Sequence, residues 1–468
     1  MNGRHAGLGA ATLAALALAV SVTAAAIEAP PAPGTPQKVT IPAKTRFALD
    51  NGLVATLVPF GEVPKVAVLA RVRTGNLNEG GRTWLADLAT DLLKEGTENY
   101  DARQLAEAAA RMGGALSIGV GSETTTVSID VLAEFGPDAV ALVADVLRRP
   151  TFPASELPRI KQDFMRSLAV SRSQPQALGS EAFNALLYPD HPFGTIFPTE
   201  EELSSYTIDD VRGYYADNFG ARRTRIYVGG VFDEPAMETA IREAFGDWAE
   251  GPEVFIDVPT PVAKAQGRFV DRPDAVQSNI ILGLPVADPS SEDYTRLQFT
   301  NSLFGAAGFL SRLVQNIRED KGYAYSPGSG MSSHYRDTIW QTSANVDTPS
   351  TGPALTEIFA ELRRLQDEPP SDREMELIRN YRTGVFTLAN ASRGGVLGTI
   401  AFMDFHGLPD SWLEDYVPRF RAVTAAEVQE TARDYLRVDD MTLVVVGDGQ
   451  QVREQLREVP EASRLEGL

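Results

Sequence analysis

The sequence predicts an α+β protein of two homologous α/β sandwich domains in a clamshell arrangement, each with a mostly antiparallel sheet and helices packed on one face. Three observations support this prediction. The chain has 468 residues, 43% of them hydrophobic and 23% charged, so it can form more than one globular core. Strand patterns occur in runs, as in the alternating polar and apolar residues of 114–135. The order of helix and strand patterns in the first half returns in the second.

The repeat consists of similar segments that follow one another in the same order. The matched segments are the strands Lys65–Gly75 and Ser278–Val286, the helices that begin after Thr207 and Thr424, and the strands that begin at Thr224 and Thr442. The helix pair also shares a capping-box pattern. Because the spacing along the chain is nearly the same for each pair, chance matching is a poor explanation and duplication is favoured.

The first 26 residues have the features of a signal peptide. A positive charge at Arg4 precedes an Ala-, Leu- and Val-rich run, and the small residues Ala24–Ala26 fit a cleavage site. An uncleaved membrane anchor is the alternative, but the apolar run is short for a bilayer span. We therefore expect residues 1–26 to be removed and the protein to be periplasmic or secreted, with no membrane span in the mature chain.

The remaining chain is predicted to form an N-terminal domain over 27–248, a linker over 249–277 and a C-terminal domain over 278–468. The linker is rich in proline and glycine with scattered charges, as expected of an exposed connection. Two similar domains joined in this way can face each other and enclose a chamber.

Composition excludes several classes of function. The chain has 43 basic and 63 acidic residues, a net charge of -20, which disfavours nucleic acid and anionic membranes as partners. It has no cysteine, which excludes disulfides, thiolate metal sites and a cysteine nucleophile. Its four histidines never lie within one helical turn of each other, so no helix can hold zinc through two of them.

Four segments resemble the insulinase/pitrilysin-type zinc peptidases, whose inverted motif is H-x-x-E-H. They are GRTWLADLATDLLKEGT at 81–97, TFPASELPRIKQDFMRSL at 151–168, YPDHPFGTIFPTEEEL at 188–203 and SRLVQNIREDKGYAYS at 311–326. Together with the duplicated layout, the resemblance covers residues from about 38 to 459. It implies a two-domain peptidase fold with a chamber for peptides.

At the inverted motif this chain departs from the family. Counted back from the KEGT segment, the motif positions hold Asp87, Thr90 and Asp91, and the family's third ligand position falls near Ser167. Two carboxylates without imidazole are a poor zinc site, and a threonine hydroxyl cannot replace the glutamate base. We therefore expect no metal in this chain, and the simplest interpretation of the aspartate pair is a solvated polar helix face.

The second half offers a different signal. In two-chain members of the family, one chain carries zinc and the other supplies an arginine and a tyrosine seven residues apart; the matching positions here are Arg318 and Tyr325, with Gly322 in the turn between them. The resemblance implies that this pair binds substrate and stabilises the tetrahedral intermediate at the partner's site. Without the resemblance, Arg318 would be a helix-terminal cation and Tyr325 a core residue of the next strand.

Four other positions carry weaker signals. His191 is expected to be a structural loop histidine, and His334, after the strand that follows Tyr325, to be exposed unless it faces the chamber. Gly305 and Gly308 are too sparse for a phosphate loop and indicate close packing or a mobile loop.

The sequence therefore predicts the metal-free subunit of a heterodimeric zinc metallopeptidase that degrades short peptides, with the zinc held by a homologous H-x-x-E-H partner. A non-catalytic peptide-binding or scaffold protein of the same fold is the main alternative. A self-sufficient hydrolase of another type has only the carboxylates in its favour.

Overall fold

The computed structural model describes residues 42–468, so the predicted signal peptide over 1–26 lies outside the described residues. This part of the chain forms a mixed helix and sheet structure with two separate sheets, which confirms the predicted fold class. Within residues 42–468, no helix is both long enough and apolar enough to cross a membrane.

The first sheet has six strands in the order β1-β2-β6-β3-β5-β4. Its strands are β1 (Thr45–Ala48), β2 (Val54–Pro59), β3 (Lys65–Val72), β4 (Ser117–Val120), β5 (Thr125–Leu132) and β6 (Thr224–Gly230). The helices of the first half are α1 (Leu85–Leu93), α2 (Ala102–Arg111), α3 (Gly136–Arg148), α4 (Leu157–Ser173), α5 (Pro175–Leu187), α6 (Glu200–Ser205), α7 (Ile208–Asn218) and α8 (Glu234–Phe245).

The second sheet has five strands in the order β7-β11-β8-β10-β9. Its strands are β7 (Gln266–Asp271), β8 (Gln277–Val286), β9 (Gly328–His334), β10 (Asp337–Asp347) and β11 (Thr442–Gly447). The helices of this half are α9 (Tyr294–Asn301), α10 (Thr351–Asp367), α11 (Asp372–Ala389), α12 (Arg393–His406), α13 (Ser411–Glu414), α14 (Tyr416–Ala422), α15 (Ala425–Tyr435), α16 (Gly449–Glu458) and α17 (Pro460–Ser463). Two π-helical segments, Ser302–Ala306 and Val314–Asp320, lie between α9 and β9.

The two sheets share one pairing pattern, as the predicted duplication requires. In the first, β2 runs parallel to β6, and β6-β3, β3-β5 and β5-β4 are antiparallel. In the second, β7 runs parallel to β11, and β11-β8, β8-β10 and β10-β9 are antiparallel. Only β1 has no counterpart among the strands of residues 42–468. Both predicted capping boxes form, at Thr207 with Asp210 and at Thr424 with Glu427.

Each half of the chain contributes one helix that packs on the sheet of the other half, which the sequence did not predict. Helix α5 of the first half packs on β8 and β11 of the second sheet, and α12 of the second half packs on β3 and β6 of the first. Each sheet is therefore covered by its own helices on one face and by the other half's helix on the opposite face, so the expectation of helices on one face was incomplete. Double coverage explains why every residue of β11 is buried.

Glycine permits the close approach of helix and sheet at both crossings. A Cβ atom at Gly179 of α5 would lie 2.5 Å from Asn279 Oδ1, and one at Gly229 of β6 would lie 2.8 Å from a methyl carbon of Leu397 on α12. Larger residues at either position would push the helix off the sheet.

The predicted linker 249–277 is not all linker. Strand β7 over Gln266–Asp271 forms the edge of the second sheet through its parallel pairing with β11. The strand was not predicted because the proline and glycine around this short segment are typical of an irregular connection.

Candidate functional site

Helix α1 is placed by its apolar stripe. Leu85, Leu88 and Leu92 are fully buried in the core of the first half. The helix begins after Trp84, whose φ of 67° is unusual for a residue with a side chain. The Trp84 indole Nε1 donates a hydrogen bond to the Ile196 carbonyl at 3.0 Å. These contacts fix which side of α1 faces away from the core.

The two aspartates at the motif positions have different surroundings. Asp87 is half-buried, lines a cavity, and its Oδ2 accepts a hydrogen bond from Asn76 Nδ2 at 2.6 Å. Asp91 lies one turn further on, does not line that cavity, and pairs with Lys94 at 2.5 Å with its side chain 40% exposed. The expected solvated face is therefore correct for Asp91 and wrong for Asp87, because Asp87 is half-buried at the cavity wall and is bonded by Asn76.

The residues at the motif positions do not fit a zinc ion. Thr90 is 3% exposed and its hydroxyl has no hydrogen-bond partner within residues 42–468, so it points into packed structure and not toward a reacting water. Ser167 is exposed on α4. Nowhere in the described part of the chain do three or more histidine, aspartate or glutamate side chains group as metal ligands would.

Glu79 forms the centre of a polar network that the sequence analysis missed. It is 6% exposed, and its Oε1 accepts hydrogen bonds from Asn76 Nδ2 and from the Ala86 backbone N–H, both at 2.9 Å. Since Asn76 also donates to Asp87, one amide joins both carboxyl groups. A polar turn just before α1 was the available signal, but the sequence alone does not reveal burial of an acid.

Burial changes the acidity of both carboxyl groups. Loss of hydration raises the pKa of Glu79 to about 8, and its hydrogen bonds oppose this only in part. The pKa of Asp87 is raised by the same cause and also by repulsion from Asp91. Neither carboxyl group has a lysine, arginine or histidine within salt-bridge distance among the residues that the structure describes.

A cavity of about 640 Å³ lies against Asn76, Glu79 and Asp87. Its other walls come from the loop before α1, from the turn between β4 and β5, from the last part of α5 and the segment between α5 and α6, and from the end of β9. These walls are Gly81, Thr83, Trp84, Ser122, Asn184, Pro189, Asp190, His191, Pro192, Phe193, Thr195, Ile196 and His334. Because His334 belongs to the second sheet, the cavity depends on the docking of the two halves.

The two histidines of the cavity wall both contact Phe193: His191 has the structural role that the sequence predicted, whereas the expectation of an exposed His334 is wrong. His334 is not an exposed strand end: its side chain is 18% exposed, stacks on Phe193 with ring centroids 4.0 Å apart, and lies 3.3 Å from Glu123. His191 accepts the Phe193 backbone N–H at Nδ1, and its Nε2 lies 3.7 Å from Asp257. Burial lowers the pKa of His191. Both side chains thus support Phe193 in the cavity wall.

Arg318 and Tyr325 meet at the surface of the second half. Arg318 lies in the last turn of the segment Val314–Asp320, and its guanidinium carbon is 4.7 Å from the ring centre of Tyr325 and 4.7 Å from that of Phe309. Tyr325 is 79% exposed, and its hydroxyl makes no hydrogen bond within residues 42–468. It precedes β9 by three residues and is exposed, so the alternative of a core residue of that strand is wrong.

The chain that carries Tyr325 is anchored despite its exposure. The N–H groups of Tyr323 and Ala324 both donate to the Ile317 carbonyl, and Ala324 forms an isolated bridge with Val346 of β10. Gly322 supplies the turn with a φ of 67°. The packing role expected of Gly305 agrees with its surroundings, since a Cβ there would lie 2.6 Å from the Ser329 hydroxyl.

The structure does not bring the two sets of candidate residues together. Neither Arg318 nor Tyr325 is among the described residues that line the cavity at Asp87. The aspartates belong to a cavity closed within this chain, whereas the arginine and tyrosine face outward.

A duplicated two-sheet fold with the inverted motif's helix in place but its ligands replaced defines a zinc-peptidase fold that has lost its own metal site. Two family models match the chain in agreement with this: Insulinase (Peptidase family M16) over residues 62–196 and Peptidase M16 inactive domain over 205–381. The chain therefore belongs to the M16 peptidase family, as its sequence motifs predicted.

Relatives and solved structures extend the likeness over most of the chain. "Uncharacterized zinc protease YmxG" of Bacillus subtilis is 24% identical over 408 residues, 86% of this chain and 97% of that protein. "Non-peptidase homolog YmxG" of Helicobacter pylori is 20% identical over 380 residues, 80% and 87% of the two chains. The crystal structure of a peptidase M16 inactive domain from Pseudomonas fluorescens superimposes with a TM-score of 0.79 at 22% identity, covering 86% of this chain and 98% of that one. Taken together, the comparisons support an inactive member of the M16 family.

Proposed function

We propose that this protein is the metal-free subunit of a heterodimeric zinc metallopeptidase that degrades short peptides. It would pair with a homologous chain that carries H-x-x-E-H and zinc. Arg318 and Tyr325 would bind the substrate there and stabilise the tetrahedral intermediate. The observation that carries this proposal is the 79% exposure of Tyr325, whose phenol has no hydrogen-bond partner in the described residues.

An exposed tyrosine on an anchored loop suits a donor that acts on another molecule. A phenol O–H is a neutral donor that can stabilise the negative charge developing on a carbonyl oxygen. Stacking against the Arg318 guanidinium at 4.7 Å holds the ring in one orientation before substrate arrives. Preorganised donors of this kind need no rearrangement as the charge develops.

The surroundings of Arg318 also favour a partner at this surface. Phe309 is 58% exposed and Leu310 is 39% exposed, and both lie on the segment that Arg318 stacks against. Aromatic side chains and arginine are the residues most enriched at protein interfaces. We define Phe309, Leu310, Arg318 and Tyr325 as the arginine–tyrosine surface, and propose that it faces the partner's active site.

The test is a peptidase assay on this chain mixed with an M16 chain that carries H-x-x-E-H. We expect hydrolysis of a short fluorogenic peptide by the mixture. Tyr325→Phe should lower kcat by about 100-fold, the usual cost of removing one oxyanion donor. Because the ring and its stacking remain, KM should change far less than kcat.

Tyr100→Phe is the matched control, since Tyr100 is also an exposed tyrosine but lies in the first half, just before α2. It should leave kcat unchanged. Full activity of the zinc chain alone, or equal rates for Tyr325→Phe and wild type in the mixture, would contradict the proposal.

A scaffold or peptide-binding protein without a role in catalysis is the second candidate. It is favoured by the name of the Helicobacter pylori relative, which is called a non-peptidase homolog. The same assay separates the two, because a scaffold would bind the zinc chain without any dependence of kcat on Tyr325.

The proposed location is the periplasm or the extracellular space, on the basis of residues 1–26. Expression of the full chain followed by N-terminal sequencing of the exported protein tests this. A mature protein that starts near residue 27 is the expected result, and a cell-retained chain with an intact N-terminus would exclude it.

A further inference from the structure

The cavity at Asp87 is lined by acidic side chains. Three carboxyl groups line it, those of Glu79, Asp87 and Asp190, and no lysine or arginine does so among the described residues. The histidines in its wall lie beside carboxylates of their own, His334 near Glu123 and His191 near Asp257, so they add no uncompensated positive charge.

The burial of Glu79 distinguishes this cavity from a cluster of acidic residues on the surface. It is only 6% exposed, lines the cavity, and has no cationic partner within residues 42–468. Asn76 and the Ala86 N–H both donate to Oε1 at 2.9 Å, the Trp84 backbone also contributes a hydrogen bond, and among the described residues no side chain other than Asn76 donates to this carboxyl group. Because burial raises the pKa of Glu79 to about 8, this group is mainly protonated in the empty cavity at neutral pH, and a cation bound against it would favour its charged form.

The network around Glu79 holds the acceptors in place. Asn76 uses one amide nitrogen to bond both Glu79 and Asp87, at 2.9 and 2.6 Å, so the two carboxyl groups converge on one side chain. Ala86 N–H fixes Glu79 from the helix end. Fixed acceptors bind a donor with little loss of side-chain freedom.

Two aromatic rings complete the wall. Trp84 is held by its indole hydrogen bond to the Ile196 carbonyl, and Phe193 is held by stacking on His334. Aromatic faces attract cations, with tryptophan the strongest of them. Carboxylates with aromatic rings and without basic residues match a positively charged ligand that has some apolar surface.

We propose that this cavity binds a protonated amine, either the α-amino group of a peptide or a lysine side chain. These two sources share the ammonium group, which would donate to Glu79 and Asp87 while its carbon chain lies against Trp84 and Phe193. The volume of about 640 Å³ is within the usual range for ligand sites and admits a few residues of peptide. This inference does not depend on the proposed role of Arg318 and Tyr325.

The test is isothermal titration calorimetry on the full chain without any partner. Three probes separate the sources: trialanine amide with a free amino group, the same peptide N-acetylated, and N-acetyl-Ala-Lys-Ala amide. We expect the free peptide or the lysine peptide to bind at least about tenfold more tightly than the acetylated peptide. The better of the two identifies which ammonium group the cavity selects.

Variants on one helix provide the matched control. Asp87→Asn should weaken binding of the preferred probe about tenfold, and Glu79→Gln should do the same. Asp91→Asn removes an equal charge one turn away, outside the cavity, and should leave the affinity within about twofold. Circular dichroism on each variant checks that the fold is kept; if one cavity variant fails to fold, the other decides.

Three results would overturn the inference. They are equal affinity for free, lysine-containing and acetylated peptides, no heat of binding for any probe at millimolar concentration, and an effect of Asp91→Asn as large as that of Asp87→Asn. None of them bears on peptidase activity in the two-chain mixture, so this inference and the proposed function can fail separately.

Discussion

The cavity at Asp87 and the arginine–tyrosine surface belong to one duplicated fold but differ in how their polar groups are exposed to solvent. In the cavity, polar groups are buried, hydrogen-bonded to one another and enclosed by both halves of the chain. At the surface, Tyr325 is 79% exposed and its hydroxyl has no partner among the described residues. A polar group that stays exposed keeps its hydration on folding, whereas a buried one must be compensated.

This difference indicates which of the two regions is enclosed by this chain alone. The cavity has walls, acceptors and aromatic rings, and nowhere in residues 42–468 do three or more histidine, aspartate or glutamate side chains group as metal ligands would. The arginine–tyrosine surface has donors but no enclosure, so in the proposed function a second molecule would have to exclude water from it. Substitutions in one region, with the other left unchanged, test this contrast.

The largest loss of stability is expected where a helix of the first half packs on the second sheet. Phe183 of α5 is 2% exposed and packs on the second sheet, where a Cβ at Gly283 would lie 2.8 Å from its ring. Phe183→Ala should lower the free energy of unfolding by about 3–5 kcal/mol, because it leaves a void between helix and sheet. Urea unfolding measures this.

The exposed Val170 on α4 is the control for that experiment, and Val170→Ala should stay within about 0.5 kcal/mol of wild type. Since both halves wall the cavity, Phe183→Ala should also weaken amine binding. A variant as stable as wild type would mean that the packing of α5 on the second sheet contributes little to the fold.

The next prediction concerns how the free energy of unfolding changes with pH. Because the pKa of Glu79 is about 8 in the folded protein and near 4.5 when unfolded, the group's contribution to stability is complete below about pH 4.5 and is lost as pH rises through 8. A glutamine side chain at this position would keep the Oε1 acceptor without the charge. Glu79→Gln should therefore match wild type at low pH and exceed its unfolding free energy by on the order of 3 kcal/mol at pH 9.

Urea unfolding of both proteins at pH 5, 7 and 9 checks this prediction, since all other ionisable groups cancel in the difference. A stability difference that stays constant with pH would show that Glu79 is ionised in the folded state, and that the cavity is wetter than its enclosure indicates.

The smallest change in the free energy of unfolding is expected at the arginine–tyrosine surface. Arg318→Ala removes the stacking on Tyr325 and Phe309, which should cost about 1 kcal/mol or less because the contacts are exposed. Tyr325→Phe keeps the ring and should change the unfolding free energy by no more than about 0.5 kcal/mol. Thermal unfolding of both variants measures this. A loss above about 1 kcal/mol for Tyr325→Phe would give the hydroxyl a structural role and end the contrast between the regions.

Local sequence patterns predicted much of the fold. Period-2 alternation located β5, apolar spacing located the buried face of α1, and the capping boxes at Thr207 and Thr424 located two helix starts. The match between segments of the two halves predicted a duplication, and the sheets share its pairing pattern. These features depend on neighbours a few residues apart, so they can be read along the chain.

The contents of the sites were only partly predictable. The motif positions Asp87, Thr90 and Asp91 follow from counting, as do Arg318 and Tyr325. The burial of Glu79, the division of the two aspartates between cavity and solvent, and the stacking of His334 on Phe193 do not. The stacking joins residues far apart in the chain, and the cavity that Glu79 and Asp87 line is completed by His334 of the second half, so no local pattern reveals it.

The sequence by itself determined that this chain lacks the imidazoles and glutamate of a zinc peptidase, because the identities of three residues decide it. Only the tertiary structure decided that an enclosed acidic cavity lies beside one of those positions, Asp87, while a phenol projects from the other half. The reason is physical: residue type sets the chemistry a side chain can do, but the packing of distant segments sets its hydration, its partners and its charge.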